Sequence, residues 1–270
     1  MKSSFLFAFS LLFTAGMMAQ QSPGLPTPDK DDIPQTKTDN YSPYAGRNFP
    51  TNVFWGDTHL HTVFSFDAGS FGVRLDPNDA FAFARGEQRV SATGQPVKLG
   101  RPLDWLAVTD HSDGMGFIID VLAASPLVTQ YEQGARWSKG FRAGGQEAVE
   151  ATLDLIKTFS QGEMDKEMFA NYSPGSRRYG TIWDQVIDNA EQFNDPGEFT
   201  TFIGFEWTSL VKGNNMHRNV IFRDGGDRAR QVVPYTTFPP MGSTDPLDLF
   251  KYLEDYEART NGAAMAFAHN

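Results

Sequence analysis

The sequence predicts an α/β protein in which parallel strands alternate with helices. Short apolar runs such as Asp104–Thr109 and Phe199–Trp207 have the length and composition of buried strands. Segments with apolar residues at helical spacing stand between these runs. This alternation is typical of a parallel sheet or barrel, and a hydrophobic content of 40% over 270 residues is enough for a large core.

The N-terminal residues carry an export signal and a linker. Residues 1–19 combine the positive charge of Lys2 with the apolar run Phe5–Phe13 and small residues before a cleavage site near Ala19. This pattern predicts a secreted or periplasmic protein without a stable membrane span after cleavage; an uncleaved anchor is the alternative. Residues 20–50 are rich in proline and are expected to form an extended linker. Residues 51–270 are expected to form the folded domain.

Charge and cysteine content exclude several classes of site. The net charge is −10, which argues against a nucleic-acid-binding surface, because contacts to phosphates need a basic face. The sequence has no cysteine, so it forms no disulfide and offers no thiolate to a metal. A metal ion would therefore be held by nitrogen and oxygen, which suits Zn, Mn or Fe.

The elements follow in order along the chain. The first strand is expected to run from Asn52 to His59, and a helix should begin at Asp76-Pro77, where aspartate is a good N-cap and proline suits the first turn. Residues 115–179 are interpreted as a mostly helical insertion that could form part of a lid. Later elements are a helix from the apparent capping box Thr181–Asp184, a strand His217–Phe222, a helix from Asp245 with Leu247, Phe250, Leu253 and Tyr256 on one face, and a last strand from Gly262.

All the histidines of the sequence lie at the edges of predicted strands. His59 and His61 are separated by one residue, so on a strand their imidazoles point to the same side, as two ligands of one metal ion must. A lone pair of this kind is as often a surface or core pair. His111 and His269 also end apolar runs, whereas His217 precedes one and should project from a loop. Because strand ends share one edge of a parallel sheet, one pocket could collect all five.

Carboxylates complete the predicted site. Glu206 directly follows an apolar run, where it must face a pocket or be buried at high cost, and it could bridge two metal ions; a structural ion pair is the alternative. Asp67 is the weakest of the proposed ligands, because loop aspartates usually cap or turn. Asp57 and Asp110 flank the histidines and are expected to orient the imidazoles through their ring N–H groups.

The predicted chemistry is metal-assisted hydrolysis. Two or three divalent ions (Zn, Mn or Fe) would activate water and neutralise charge on a substrate oxygen, which best suits a phosphoester in a small-molecule substrate. Glu206 and His111 are the residues expected to be catalytic. Arg218, beside His217, is the best candidate for a phosphate contact, although a surface charge explains it equally well.

Taken in order, the motifs resemble the PHP superfamily (polymerase and histidinol phosphatase), and more narrowly its secreted branch known as the DUF3604 domain of unknown function. The motifs are Gly56–Thr62 with Ser65 and Asp67, Thr109–His111, Gly204–Glu206, His217 and Ala268–Asn270. The resemblance implies a distorted (β/α)7 barrel with a di- or trinuclear site. It also implies that His59 and His61 bind the first metal, that Glu206 bridges the first and second, that His217 and His269 bind the second, and that Asp67 and His111 bind the third.

The sequence departs from that superfamily at its C-terminal end. The superfamily has a further strand followed by an Asp-x-His motif, whereas this sequence stops at Asn270 with about five recognisable strands. We therefore expect an N-terminal fragment of a longer protein, with a barrel truncated to about five strands. If the chain were complete, the first and third metals would each lack a ligand.

Two other interpretations stay open. An amidohydrolase-type barrel also begins with His-x-His, but that family usually has a bridging lysine on a middle strand, where this sequence has Glu206. A non-catalytic secreted module that binds a metal or another ligand would keep the pocket without turnover.

Overall fold

The computed structural model describes residues 52–269. The expected signal peptide (1–19) and linker (20–50) lie outside these residues. Between residues 52 and 269, no helix has both the length and the apolar character that crossing a membrane requires.

The main sheet has five strands in the order β1-β4-β5-β6-β7, and β2 and β3 form a separate two-stranded sheet. The first expected strand is much shorter than predicted, and Val53, Phe54 and Trp55 before it are exposed. The strands are β1 (Gly56–Asp57), β2 (Arg89–Val90), β3 (Pro96–Val97), β4 (Trp105–Val108), β5 (Thr200–Val211), β6 (Asn214–Phe222) and β7 (Ala264–Phe267).

The expectation of an all-parallel sheet is wrong for its second half. Strands β1, β4 and β5 are parallel, but β5 pairs with β6 and β6 with β7 in antiparallel register. The cause is a tight turn at Lys212 and Gly213, which both have positive φ (54° and 79°). Two successive residues of this kind match the twist of a β-hairpin, so β5 turns straight into β6 without a crossover helix.

The described part of the chain is an α/β fold with a mixed parallel and antiparallel sheet, and no closed barrel is found in it. The expected number of strands in the sheet, about five, agrees with the structure. One face of this sheet is open over a groove of about 620 Å³, whose lining includes Trp105, Phe202 and Met265.

Helices cover the other face of the sheet and fill the insertion. They are α1 (Phe66–Ser70), α2 (Pro77–Ala84), α3 (Phe117–Leu122), α4 (Pro126–Thr129), α5 (Glu132–Ala143), α6 (Gly145–Ser160), α7 (Lys166–Ala170), α8 (Arg177–Phe193), α9 (Gly226–Ala229) and α10 (Pro246–Thr260). The insertion is therefore mostly helical, as expected.

Helix α2 begins where the sequence predicted. The Asp76 side chain accepts from the backbone of Asp79, and the Asp79 side chain accepts in return, which makes a capping box. The capping box predicted at Thr181 is wrong, because α8 begins one turn earlier with Ser176 as its N-cap. Thr181 instead donates to the carbonyl of Arg177 inside the helix.

Two apolar cores support the site. The first lies between the sheet and helices α2, α8 and α10, where Phe205 of β5 packs against Trp183 and Trp207 belongs to the same cluster. The second lies within the insertion around Phe117 and Trp137. The apolar stripe of α10 differs from the predicted one in that Leu249, Leu253 and Tyr256 are buried, whereas Leu247 and Phe250 are exposed.

Candidate metal centre

Strand β5 places Glu206 on the side of the sheet opposite the first core. Because side chains alternate along a strand, Phe205 and Trp207 face that core while Glu206 and Thr208 face the other way. The expectation that Glu206 ends its strand is wrong, since it lies in the middle of the 12 residues of β5. The Glu206 side chain is nevertheless fully buried. A buried carboxylate needs partners, and the surrounding histidines supply them.

The neighbouring strands direct histidines to the same point. Thr208 of β5 lies directly opposite His217 of β6, so His217 belongs to a strand rather than to the preceding loop as predicted. A parallel bridge pairs His111 with Glu206 after the end of β4. His269 follows β7 by two residues, and the β6–β7 register puts it on the same face.

All five histidines contact the single carboxylate of Glu206. Its Oε2 lies 3.0 Å from His61 Nε2, 3.0 Å from His269 Nε2 and 3.4 Å from His59 Nε2, and its Oε1 lies 3.4 Å from His111 Nδ1 and also contacts His217 Nδ1. The rings lie against each other, and His59 and His269 stack with centroids 3.8 Å apart. The predicted convergence of these residues is therefore confirmed.

Asp67 provides a second carboxylate beside the first. Its Oδ1 lies 3.2 Å from His61 Nδ1, and its Oδ2 lies 3.5 Å from His111 Nε2. The hydroxyl of Ser65 donates to Asp67 Oδ1 at 2.6 Å and accepts from the backbone N–H of His111 at 3.1 Å. Helix α1, which contains Asp67, is thereby tied to the segment after β4.

The nitrogen and oxygen atoms form three overlapping groups, each with its ligand atoms within 4.8 Å of one another. Glu206 belongs to two groups, as do His61 and His111. The groups are His59, His61 and Glu206; His61, Asp67 and His111; and His111, Glu206 and His217. Imidazole and carboxylate donors at these separations suit a divalent transition metal, so the residues present could hold a metal ion.

Opposite charges within the cluster shift the pKa values of its members strongly. Burial would raise the pKa of the Glu206 carboxyl, but the hydrogen bond with His61 and the charge of His111 outweigh it and hold that pKa well below its usual range. Burial would likewise raise the pKa of Asp67, but the hydrogen bonds with His111 and His61 and the charges of these histidines lower it. Burial would lower the pKa of His61, yet Asp67 and Glu206 raise it to about 10. Burial lowers the pKa of His59, and the charges of His269 and His61 lower it further.

Asp57 and Asp110 accept hydrogen bonds from the backbone and from a threonine hydroxyl instead of from the imidazole rings that they were expected to orient. Asp57 Oδ1 accepts from the backbone N–H of His59 at 2.8 Å. Asp110 accepts from the backbone N–H of Thr62 and, at 2.8 Å, from its hydroxyl. Burial raises the pKa of Asp110 to about 6, and the Thr62 hydrogen bonds oppose that shift. Both carboxylates thus shape the loop that carries the His-x-His pair.

The structure does not bring Arg218 to the cluster. It lies one residue from His217 in β6 and opposite Trp207, so it is on the face of the sheet that carries the first core. Its guanidinium donates to the carbonyl of His217 at 2.7 Å. The position of Arg218 therefore gives no support to the predicted phosphate contact, because adjacent residues of a strand point to opposite faces.

Sequence reasoning missed Thr208 and Asn219. The Thr208 hydroxyl lies 2.7 Å from Glu206 Oε1, 2.9 Å from His111 Nδ1 and 3.0 Å from His217 Nδ1. Thr208 lies two residues after Glu206, so on a strand that continues through both residues their side chains share one face. An expected strand longer than Phe199–Trp207 would therefore have identified Thr208. Asn219 lies opposite Glu206 and donates to the carbonyl of Thr58 at 2.7 Å, which ties β6 to the segment after β1.

A cavity of about 280 Å³ opens beside the cluster. Asp67, His111 and His217 form part of its wall, and Ile156 and Phe159 of α6 form another part. The helical insertion therefore contributes directly to the space next to the candidate ligands.

A family model described as "Protein of unknown function (DUF3604)" matches residues 48–270. The chain belongs to the DUF3604 family. The match covers every residue of the DUF3604 site described above. No curated protein and no solved structure matches the chain.

Proposed function

We propose that the protein is a secreted or periplasmic hydrolase that uses two or three divalent metal ions to cleave a phosphoester bond in a small molecule. The observation that supports this most is the contact of all five histidines with the buried carboxylate of Glu206, with Asp67 alongside. Divalent ions bound by such a donor set supply an acidified water and positive charge for a phosphoryl oxygen.

The residues of the chain have distinct roles in this proposal. Glu206 is held ionised and belongs to two groups of ligands, so it would help to hold the metal ions of both groups. The Thr208 hydroxyl fixes the orientation of Glu206, His111 and His217 through its three contacts. His111 reaches both carboxylates and lines the cavity, so it would hold a metal ion directly beside a substrate in that cavity.

The resemblance to the PHP superfamily supports the same assignment. The group of His59, His61 and Glu206 corresponds to the ligands expected for the first metal, and Asp67 with His111 to those of the third. Glu206 and His217 belong to the group expected for the second, and His269 contacts Glu206. A carboxylate at the central strand favours this assignment over an amidohydrolase-type site, which would have a lysine there.

The test combines metal content with turnover. The wild-type chain, loaded with Mn²⁺ or Zn²⁺, is expected to hydrolyse p-nitrophenyl phosphate or bis(p-nitrophenyl) phosphate and to lose this activity with a chelator. The double variant His59→Ala/His61→Ala is expected to lose metal and activity while it keeps most of its folding. Arg218→Ala serves as the control, because Arg218 lies on the other face of the sheet, and it should keep both.

Two results would contradict the proposal. Metal binding without turnover of phosphomonoesters, phosphodiesters or carboxylic esters would indicate a non-catalytic metal-binding module. A chain that binds no metal at all would exclude every metallohydrolase interpretation.

A further inference from the structure

The cavity beside the candidate metal centre has two unlike walls. Asp67, His111 and His217 form the wall on the ligand side, whereas Phe66, Ile156 and Phe159 belong to the apolar wall. A substrate held at the ligands would therefore have one part among imidazoles and carboxylates and the other part against hydrocarbon.

The apolar wall is held in place by the insertion. The Phe159 ring packs on Phe66 with centroids 4.3 Å apart, and Phe169 and Phe238 lie 5.9 and 5.8 Å away on other sides. The hydroxyl of Thr152 in α6 donates to the carbonyl of Ser70 at 3.0 Å, which ties α6 to the end of α1. A wall supported in this way needs little rearrangement to receive a ligand.

Charge limits the substrate further. No lysine or arginine is among the described residues that line the cavity, and two of the lining residues, Asp67 and Asp113, are acidic. Recognition of several phosphate groups relies on arginine or lysine side chains. Metal ions at the ligands would contact one phosphoryl group, and no lysine or arginine among the described lining residues is placed to bind a second.

We propose that the cavity selects phosphoesters with a single phosphoryl group and an aromatic organic group, which packs against Ile156 and Phe159. This inference rests on the proposed phosphoesterase function and specifies its substrate class. A pocket of roughly 150 Å³ accommodates a benzene ring. The 280 Å³ of the cavity therefore has room for one ring and an adjacent phosphoryl group.

Calorimetric titration of non-hydrolysable probes tests this selection. Phenylphosphonate and methylphosphonate share the phosphoryl group and differ in the ring, and each is titrated into Mn²⁺-loaded protein. The wild type should bind phenylphosphonate about tenfold more tightly or better, and Phe159→Ala and Ile156→Ala should each remove most of this preference. Leu153→Ala is the matched control, because Leu153 is on the same helix, is 62% exposed and is not among the residues lining the cavity.

The outcomes separate this inference from the function on which it rests. Equal affinity of the wild type for both probes, or an undiminished phenyl preference in both cavity variants, would overturn the aromatic selection and leave the phosphoesterase site standing. Failure of both probes to bind, together with no turnover of any phosphoester by metal-loaded protein, would overturn the proposed function itself. Because two positions are varied, a folding defect in Phe159→Ala would leave Ile156→Ala to decide.

Discussion

Replacing Glu206 with glutamine tests the organisation of the candidate centre. The change preserves the size of a side chain that is fully buried, but it removes the negative charge and one of two acceptor oxygens. Each oxygen contacts a different set of histidines, so whichever way the amide points, one set loses an acceptor. We expect Glu206→Gln to lose metal ions rather than only to bind them more weakly.

The overlap of the ligand groups determines how many metal ions Glu206→Gln should lose. Glu206 belongs to two of the three groups, and only the group of His61, Asp67 and His111 remains complete without it. Metal content should therefore fall from two or three ions per chain to at most one. Loss of an outer partner of a metal ligand already costs about 10- to 100-fold in affinity, so loss of the ligand itself should cost about 100-fold or more, or about 2.7 kcal/mol.

The assay is the stoichiometry and affinity of Mn²⁺ or Zn²⁺ binding by titration calorimetry. Asp67→Asn is a graded comparison, since Asp67 belongs to only one group and its loss should remove at most one ion. Asp113→Asn is the matched buried control, because its carboxylate accepts from the backbone and hydroxyl of Thr237 and is in none of the groups. If Glu206→Gln binds as many ions as Asp113→Asn with equal affinity, the bridging role is refuted.

Three further predictions concern stability. Asp120→Ala should destabilise the fold by about 3 kcal/mol in chemical denaturation, because it leaves Arg178 without the carboxylate to which it donates twice, and a loss below 1 kcal/mol would contradict this. Gly134→Ala should lower the melting temperature, because a Cβ there would lie 2.3 Å from the carbonyl oxygen of Val128. An unchanged melting temperature would contradict this and show that α4 can shift at little cost. Chelation of metal present at about 100 times its Kd should remove about 2.7 kcal/mol of stability, or roughly 5–10 °C for a domain of this size, and no shift would mean that the folded chain binds no metal.

The candidate site was more predictable from the sequence than the sheet that carries it. His59, His61, His111, Glu206 and His269 could be selected because each follows or ends an apolar run, and a carboxylate in such a run must find partners. The structure brings them together even though half of the sheet runs in a different direction from the one expected. Their convergence depends on which face a residue occupies, and the two-residue period of strands fixes that face in parallel and antiparallel sheets alike.

The errors have local physical causes. The β5–β6 hairpin was missed because its turn contains Lys212, a residue that seldom adopts positive φ, so only Gly213 signalled a turn. Without the hairpin, the expected strand ended at Trp207, before Thr208, and His217 was expected to project from a loop, so their contact could not be foreseen. Arg218 was selected for its closeness to His217 in sequence, although adjacent residues on a strand diverge. The packing of α6 beside the ligands depends on tertiary contacts that no local pattern encodes.

The measurement that tests the central claim most directly is the metal content of the purified wild-type chain, determined by inductively coupled plasma mass spectrometry after dialysis against metal-free buffer. Convergence of five histidines on one buried carboxylate predicts two or three divalent transition-metal ions per chain. A chain that retains none, and takes up none when Mn²⁺ or Zn²⁺ is supplied, would contradict the assignment of this cluster as a metal centre.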